Sequence, residues 1–216
     1  AVKTELILLM LTALLAVVFA VPSAADQEWL PDLALSIAWR NYDGPEILTL
    51  LITPAGTGQF FTQARLPDGT VADGTINLLL LDQVGVPING YPLEDIWLQD
   101  PTSPLNFCGI FELWPDRDTD QNGETYWFSR PRGGGHTAGN LQVYVSGSPL
   151  IGPTLPLRIN SPDVNSDLRV NLSDLVPFTV DYFGAYHFRS DLHHDGIINL
   201  SDVAVMANHM GRTCPQ

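Results

Sequence analysis

Basic side chains are scarce in this chain: Lys and Arg together number 10 against 24 Asp and Glu, for a formal net charge of -14. Nucleic-acid binding needs clustered Lys and Arg to neutralise phosphates, so this balance argues against it. Cysteine is almost absent too. The two present, Cys108 and Cys214, have no Cys-x-x-Cys spacing, which speaks against a zinc ribbon or a redox motif. Two readings stay open for them: one disulfide that staples the middle of the chain to its tail in an oxidising compartment, or two free buried thiols. None of the histidines (His136, His187, His193, His194, His209) lies in a His-Glu-x-x-His arrangement, and no Gly-x-Ser-x-Gly elbow is present. The carboxylates fall mostly in turns and in loops with metal-ligand spacing. The expectation is a protein that is not an enzyme.

What is present is a pattern written twice near the end. The first copy reads Asp163-Val-Asn165-Ser-Asp167-Leu-Arg169-Val-Asn171-Leu-Ser-Asp174, and the second Asp191-Leu-His193-His-Asp195-Gly-Ile197-Ile-Asn199-Leu-Ser-Asp202. Both place polar side chains at positions 1, 3, 5, 9 and 12, the ligand spacing of a twelve-residue calcium loop. Calcium is a hard ion that takes oxygens, and this spacing wraps them around one point. In the first loop the side chains of Asp163, Asn165, Asp167 and Asn171 and the carbonyl of Arg169 are the expected ligands, with Asp174 closing the sphere. The alternative is a pair of Asx-rich turns without metal. The apolar residues after each loop (Leu175, Val176, Phe178, Val180, Tyr182; then Val203, Val205, Met206, Met210) suit two short helices packed on each other. Pro177 falls in the first turn, where a helix tolerates it. So small a core is marginal alone, so metal binding and folding are expected to be coupled. An acidic chain with calcium loops is at home outside the cell.

Asp at the twelfth place, Asn at the ninth and a duplicated loop-helix without the entering helix resemble a type I dockerin over residues 160–214. Carried over by position, that resemblance implies a second calcium site from Asp191, His193, Asp195, the carbonyl of Ile197, Asn199 and Asp202. It also implies a cohesin-like partner contacted through the residues just before position 12, here Leu172 and Ser173, then Leu200 and Ser201. Two positions depart from the pattern. Leu168 stands where the sharp turn wants Gly. His193 stands where Asp or Asn is usual, and imidazole suits a hard ion poorly. Both sites are expected to bind, one more weakly. The triplets Asn171-Leu-Ser and Asn199-Leu-Ser are formal glycosylation acceptors, better explained as loop residues.

The N-terminus has two readings. Residues 6–25 carry no charge. With Lys3 before them and Ser23-Ala24-Ala25 after them, they fit a secretory signal peptide cleaved near Ala25. Glu5 and Pro22 instead resemble the mature start of a type IV pilin. That resemblance implies a helix that sits first in the membrane and then packs with its copies in a filament core, Glu5 pairing with the amine of a neighbouring Ala1. The apolar stretch is about long enough to span a bilayer.

Residues 30–160 lack helical periodicity and read as β. Strands are expected within residues 32–39, 46–53, 59–66, 74–81, 95–99, 107–113, 124–129 and 142–146, separated by Gly, Pro, Asn and Asp turns, which suggests an antiparallel sandwich. Thr75 through Pro92, with Asp82-x-x-Gly85-x-Pro87, and Thr119-Asp-Gln-Asn-Gly123 resemble bacterial immunoglobulin-like repeats of invasin type. The acidic residues 116–124 alternate oxygens but put Trp127 at position 12, and are expected as a solvated hairpin loop. Residues 133–135, Gly-Gly-Gly, are expected as a flexible connection.

The expected fold is thus mainly β with α, in three parts: an apolar N-terminal helix (1–29), an immunoglobulin-like sandwich (30–160) and a dockerin-like calcium module (161–216). Two functions from different classes follow. One is an extracellular filament subunit, partnered by copies of itself. The other is a secreted module that binds a cohesin-like protein.

Overall fold

The computed structural model describes residues 30–109 and 113–215. The expected N-terminal helix, with Ala1, Glu5 and Pro22, lies outside the described residues. Twelve short strands are described: β1 (Ile37–Arg40), β2 (Leu48–Leu51), β3 (Ala64–Arg65), β4 (Val71–Ala72), β5 (Ile76–Leu79), β6 (Ile96–Gln99), β7 (Asn106–Phe107), β8 (Glu124–Trp127), β9 (Gly133–Gly134), β10 (Gln142–Val145), β11 (Ser148–Pro149) and β12 (Leu157–Asn160). Two helices follow, α1 (Leu175–Phe183) and α2 (Leu200–His209). The chain is mainly β with two short helices, and among the described residues no helix is long and apolar enough to cross a membrane.

Period-2 burial drives the strands. In β5 Ile76 and Leu78 are buried while Asn77 and Leu79 are half-buried, and β10 buries Val143 and Val145 in the same way. The strands form four sheets, in the orders β1-β5-β8, β11-β10-β6, β12-β2-β3-β4 and β7-β9. All pairs are antiparallel except β12 with β2, where Leu157 faces Leu48 and Asn160 faces Leu51. Inward side chains of β2, β5, β6, β8, β10 and β12 share one cluster with Phe61, Phe107 and Trp127.

Three local expectations shift. Residues 32–35 are a turn, because Asp32 Oδ1 accepts from the amides of Ala34 (2.8 Å) and Leu35 (2.9 Å), and the strand starts only at Ile37. Residues 133–135 are no flexible connection: β9 pairs with β7, Asn106 opposite Gly134 and Phe107 opposite Gly133. Glycine is needed there for close approach, since a Cβ on Gly133 would lie 2.5 Å from the Asn106 carbonyl oxygen. The β12 strand, flanked by Pro156 and Pro162, was not among the expected strands.

The two quoted turn motifs are held by their own aspartates. Asp82 Oδ1 accepts from Val84 (2.9 Å) and Val86 (2.8 Å), and Asp120 Oδ1 from Asn122 (2.9 Å) and Glu124 (3.1 Å). In the acidic segment 116–124, Asp116 takes the amides of Phe128 and Ser129 while Asp118 takes that of Leu93, so its carboxylates do not converge on one point.

A second apolar cluster lies in the C-terminal part. Val164 and Leu192 come from position 2 of each loop, Phe178 and Met206 from equivalent places on α1 and α2, and Leu51 of β2 joins them. After α2 the tail turns back onto the first loop: Val170 donates its amide to Arg212 O (2.8 Å) and receives that of Gly211 (2.8 Å). This return carries Cys214 to Cys108, and the two form a disulfide, with Cα atoms 5.7 Å apart across 106 residues of chain. Of the two cysteine readings, the disulfide is the one observed.

Candidate calcium loops

The two loops fold by one hydrogen-bond scheme. At position 1, Asp163 accepts from the amides of Asp167 (3.1 Å) and Leu168 (2.8 Å), and Asp191 accepts from those of Asp195 (3.2 Å) and Gly196 (2.9 Å). At position 12, Asp174 accepts from Asn165 N (3.1 Å) and Asn171 N (2.8 Å), and Asp202 from His193 N (2.8 Å) and Asn199 N (2.8 Å). At position 9, Asn171 takes the amide of Ser173 and Asn199 that of Ser201. At position 5, Asp167 and Asp195 take the amides of Arg169 and Ile197. The carboxylates at positions 1 and 12 bond the backbone through both oxygens, and the side chains at positions 5 and 9 through one, which curls each loop.

Burial repeats as well. Asp163, Asp174, Asp191 and Asp202 are buried, whereas positions 3, 5 and 7 (Asn165, Asp167, Arg169; His193, Asp195, Ile197) are exposed. Each loop thus has two acidic residues at its floor and an exposed rim, Asn165, Asp167 and Arg169 in the first and His193, Asp195 and Ile197 in the second. Burial, helped by the neighbouring Asp174, pushes the Asp163 carboxyl up to about 7. Burial also raises Asp174 and Asp202.

In the first loop the expected donors are all oxygens at calcium-loop positions, whereas in the second position 3 is the imidazole of His193, which suits a hard ion poorly. Among the described residues no three His, Cys, Asp or Glu side chains are already gathered into a metal group. Each expected set includes three Asp side chains, Asp163, Asp167 and Asp174 in one and Asp191, Asp195 and Asp202 in the other, and these stand apart.

The departures are visible. Position 6 has positive φ in both copies, +65° at Leu168 and +79° at Gly196. Left-handed backbone costs a side chain about 1–2 kcal/mol, so the first loop carries strain that the second avoids. Replacing Leu168 by Gly or by Ala removes the same side chain, and Leu168→Gly is expected to be the more stable by about 1 kcal/mol in thermal unfolding. Position 4 is also left-handed, +66° at Ser166 and +60° at His194. His193 stays against its loop, its Nδ1 3.3 Å from Asp195 Oδ2, as Asn165 Nδ2 is from Asp167 Oδ2. The second loop also has a support that the sequence did not reveal, since Tyr186 donates its hydroxyl to Asp191 Oδ2 at 2.9 Å.

Beyond the loops, α1 is fixed to the following segment by a buried carboxylate. Asp181 accepts two bonds from Arg189 (2.7 and 2.9 Å) and one from Ser190 (2.6 Å). The expected partner-facing residues are split. Leu172 and Leu200 are 72% and 73% exposed, and Ser173 is exposed, while Ser201 is half-buried. Compared with known proteins, the chain matches no family model and no curated protein.

Proposed function

We propose that this is a non-catalytic extracellular structural protein that binds two calcium ions. The observation that carries this is the repetition, residue for residue, of one hydrogen-bond scheme in two loops of calcium spacing. The ligands are Asp163, Asn165, Asp167, Arg169, Asn171 and Asp174 in one site, and Asp191, His193, Asp195, Ile197, Asn199 and Asp202 in the other. The Cys108 to Cys214 disulfide fits an oxidising, extracellular setting. The β-rich part is proposed as an immunoglobulin-like sandwich, supported by the common core of its sheets and by the Asp82 and Asp120 turns. The C-terminal part is proposed as a dockerin-like module.

In the reading we favour, the protein is a filament subunit similar to type IV pilins. Its N-terminal helix, held in the membrane before assembly, would form the core with Glu5 and Ala1, and the calcium-locked part would face outward. N-terminal sequencing of the native protein tests this: Ala1 at the mature terminus is expected, and Asp26 would overturn it. A second reading has a specific observation behind it. The near-equal exposure of Leu172 and Leu200 on equivalent loop positions suits a partner that docks on either copy, as a cohesin-like protein would.

A further inference from the structure

The β-rich part grips both loops at the same two positions, by unrelated residues. In the first loop, the carbonyl of Asp163 (position 1) accepts from Gly135 N at 2.7 Å, and the carbonyl of Ser166 (position 4) accepts from Asn106 Nδ2 at 3.3 Å. The fit is tight. A Cβ on Gly134 would lie 1.8 Å from Asp163 Oδ2 and 2.4 Å from its Cγ, so only glycine leaves room for that carboxylate. In the second loop, wholly buried Asn160 at the end of β12 donates from Nδ2 to the carbonyls of Asp191 (position 1, 2.7 Å) and Phe188 (3.0 Å). Both amide hydrogens are then used, and Asn160 Oδ1 is left to accept from His194 Nε2 (position 4) at 2.9 Å.

Positions 1 and 4 begin the curl that brings the ligands together, and both loops take left-handed backbone at position 4. A grip at these points fixes where the floor carboxylate stands relative to the rim. Outer partners of metal ligands act on affinity in this way without touching the ion. We propose that Gly134 and Asn160 are positioning residues, one for each calcium site, and that ion binding in each loop is coupled to the seating of that loop on its own strand, β9 for the first and β12 for the second. Calcium on this view is a latch between the two parts of the fold, not an ornament of one. The inference rests on the calcium reading above.

Calcium titration of the full chain and two variants, followed by calorimetry, tests it. Gly134→Ala is expected to weaken the first site by about tenfold or more while sparing the second, and Asn160→Ala to do the reverse, on the scale seen for outer-shell partners. Two unchanged affinities in both variants, or equal loss of both sites in each, would overturn the inference. A measurement on the unaltered chain does not depend on the variants folding. Exchange of the Gly135 amide, which bonds the Asp163 carbonyl, should slow in calcium relative to chelator, and an unchanged rate would overturn the latch. If the unaltered chain takes up no calcium at all, the calcium reading itself fails, a result distinct from either of these.

Discussion

Asp174→Ala is expected to reduce the calcium stoichiometry from two ions to one and to destabilise the C-terminal part by several kcal/mol. Its carboxylate is buried and holds the amides of Asn165 and Asn171 in part-buried bonds, so truncation leaves two donors without their partner, at up to about 1–3 kcal/mol each. Loss of the ion adds to this when calcium is abundant, about 2.7 kcal/mol at a hundredfold excess over Kd. Asp202→Ala should do the same to the second loop through His193 and Asn199. Calorimetric titration gives the stoichiometry, and thermal unfolding with and without chelator separates the hydrogen-bond loss from the ion's contribution. Equal stoichiometry in Asp174→Ala and the parent would contradict the ligand assignment.

The same buried carboxylates set the pH response. In metal-free protein Asp163 has a folded pKa raised to about 7, so the folded state holds its proton more firmly than the unfolded chain. That contribution to stability is fully present below the ordinary carboxylate range and is lost as pH rises through about 7. Calcium needs the ionised form, so its apparent affinity for the first site should fall as pH drops below 7, with proton release on binding near neutrality. Titrations in buffers of different ionisation enthalpy measure that release.

Removing the disulfide, by Cys108→Ala with Cys214→Ala or by reductant, is the second large effect expected. The bond closes a loop of 106 residues, and closing a loop of that length is worth about 4–5 kcal/mol of unfolded-chain entropy. The loss should not be uniform. Cys214 ends the tail that pairs with Val170 through Gly211 and Arg212, so the first calcium site should weaken more than the second. An unfolding midpoint indifferent to reductant would contradict this.

The loops were legible in sequence because their chemistry is local: a side chain at one position curls backbone a few residues away, and the spacing survives in the string of letters. The strands β2, β5, β6, β8 and β10 were legible for a similar reason, as short runs rich in Leu, Ile, Val and aromatics between Gly, Pro, Asn and Asp turns. What escaped was long-range or looked like something else. The β12 strand is short and bracketed by Pro156 and Pro162, and its partner β2 lies more than a hundred residues earlier, so nothing local marks the pairing. Gly133 and Gly134 read as a flexible connection because glycine serves freedom and close approach alike, and only the neighbours Asn106 and Asp163 decide between them. The tie from Asn160 to Asp191 and His194 joins residues 31 and 34 apart and leaves no spacing to recognise.

The central claim is that the chain holds two calcium ions. Calcium titration of chelator-treated protein tests it most directly, by calorimetry with native mass spectrometry to count ions. The account predicts two ions per chain, one bound more weakly, and a rise in unfolding temperature on binding. No uptake at about 10 mM calcium, above the range of about 10⁻⁴–10⁻³ M for extracellular modules, would contradict it.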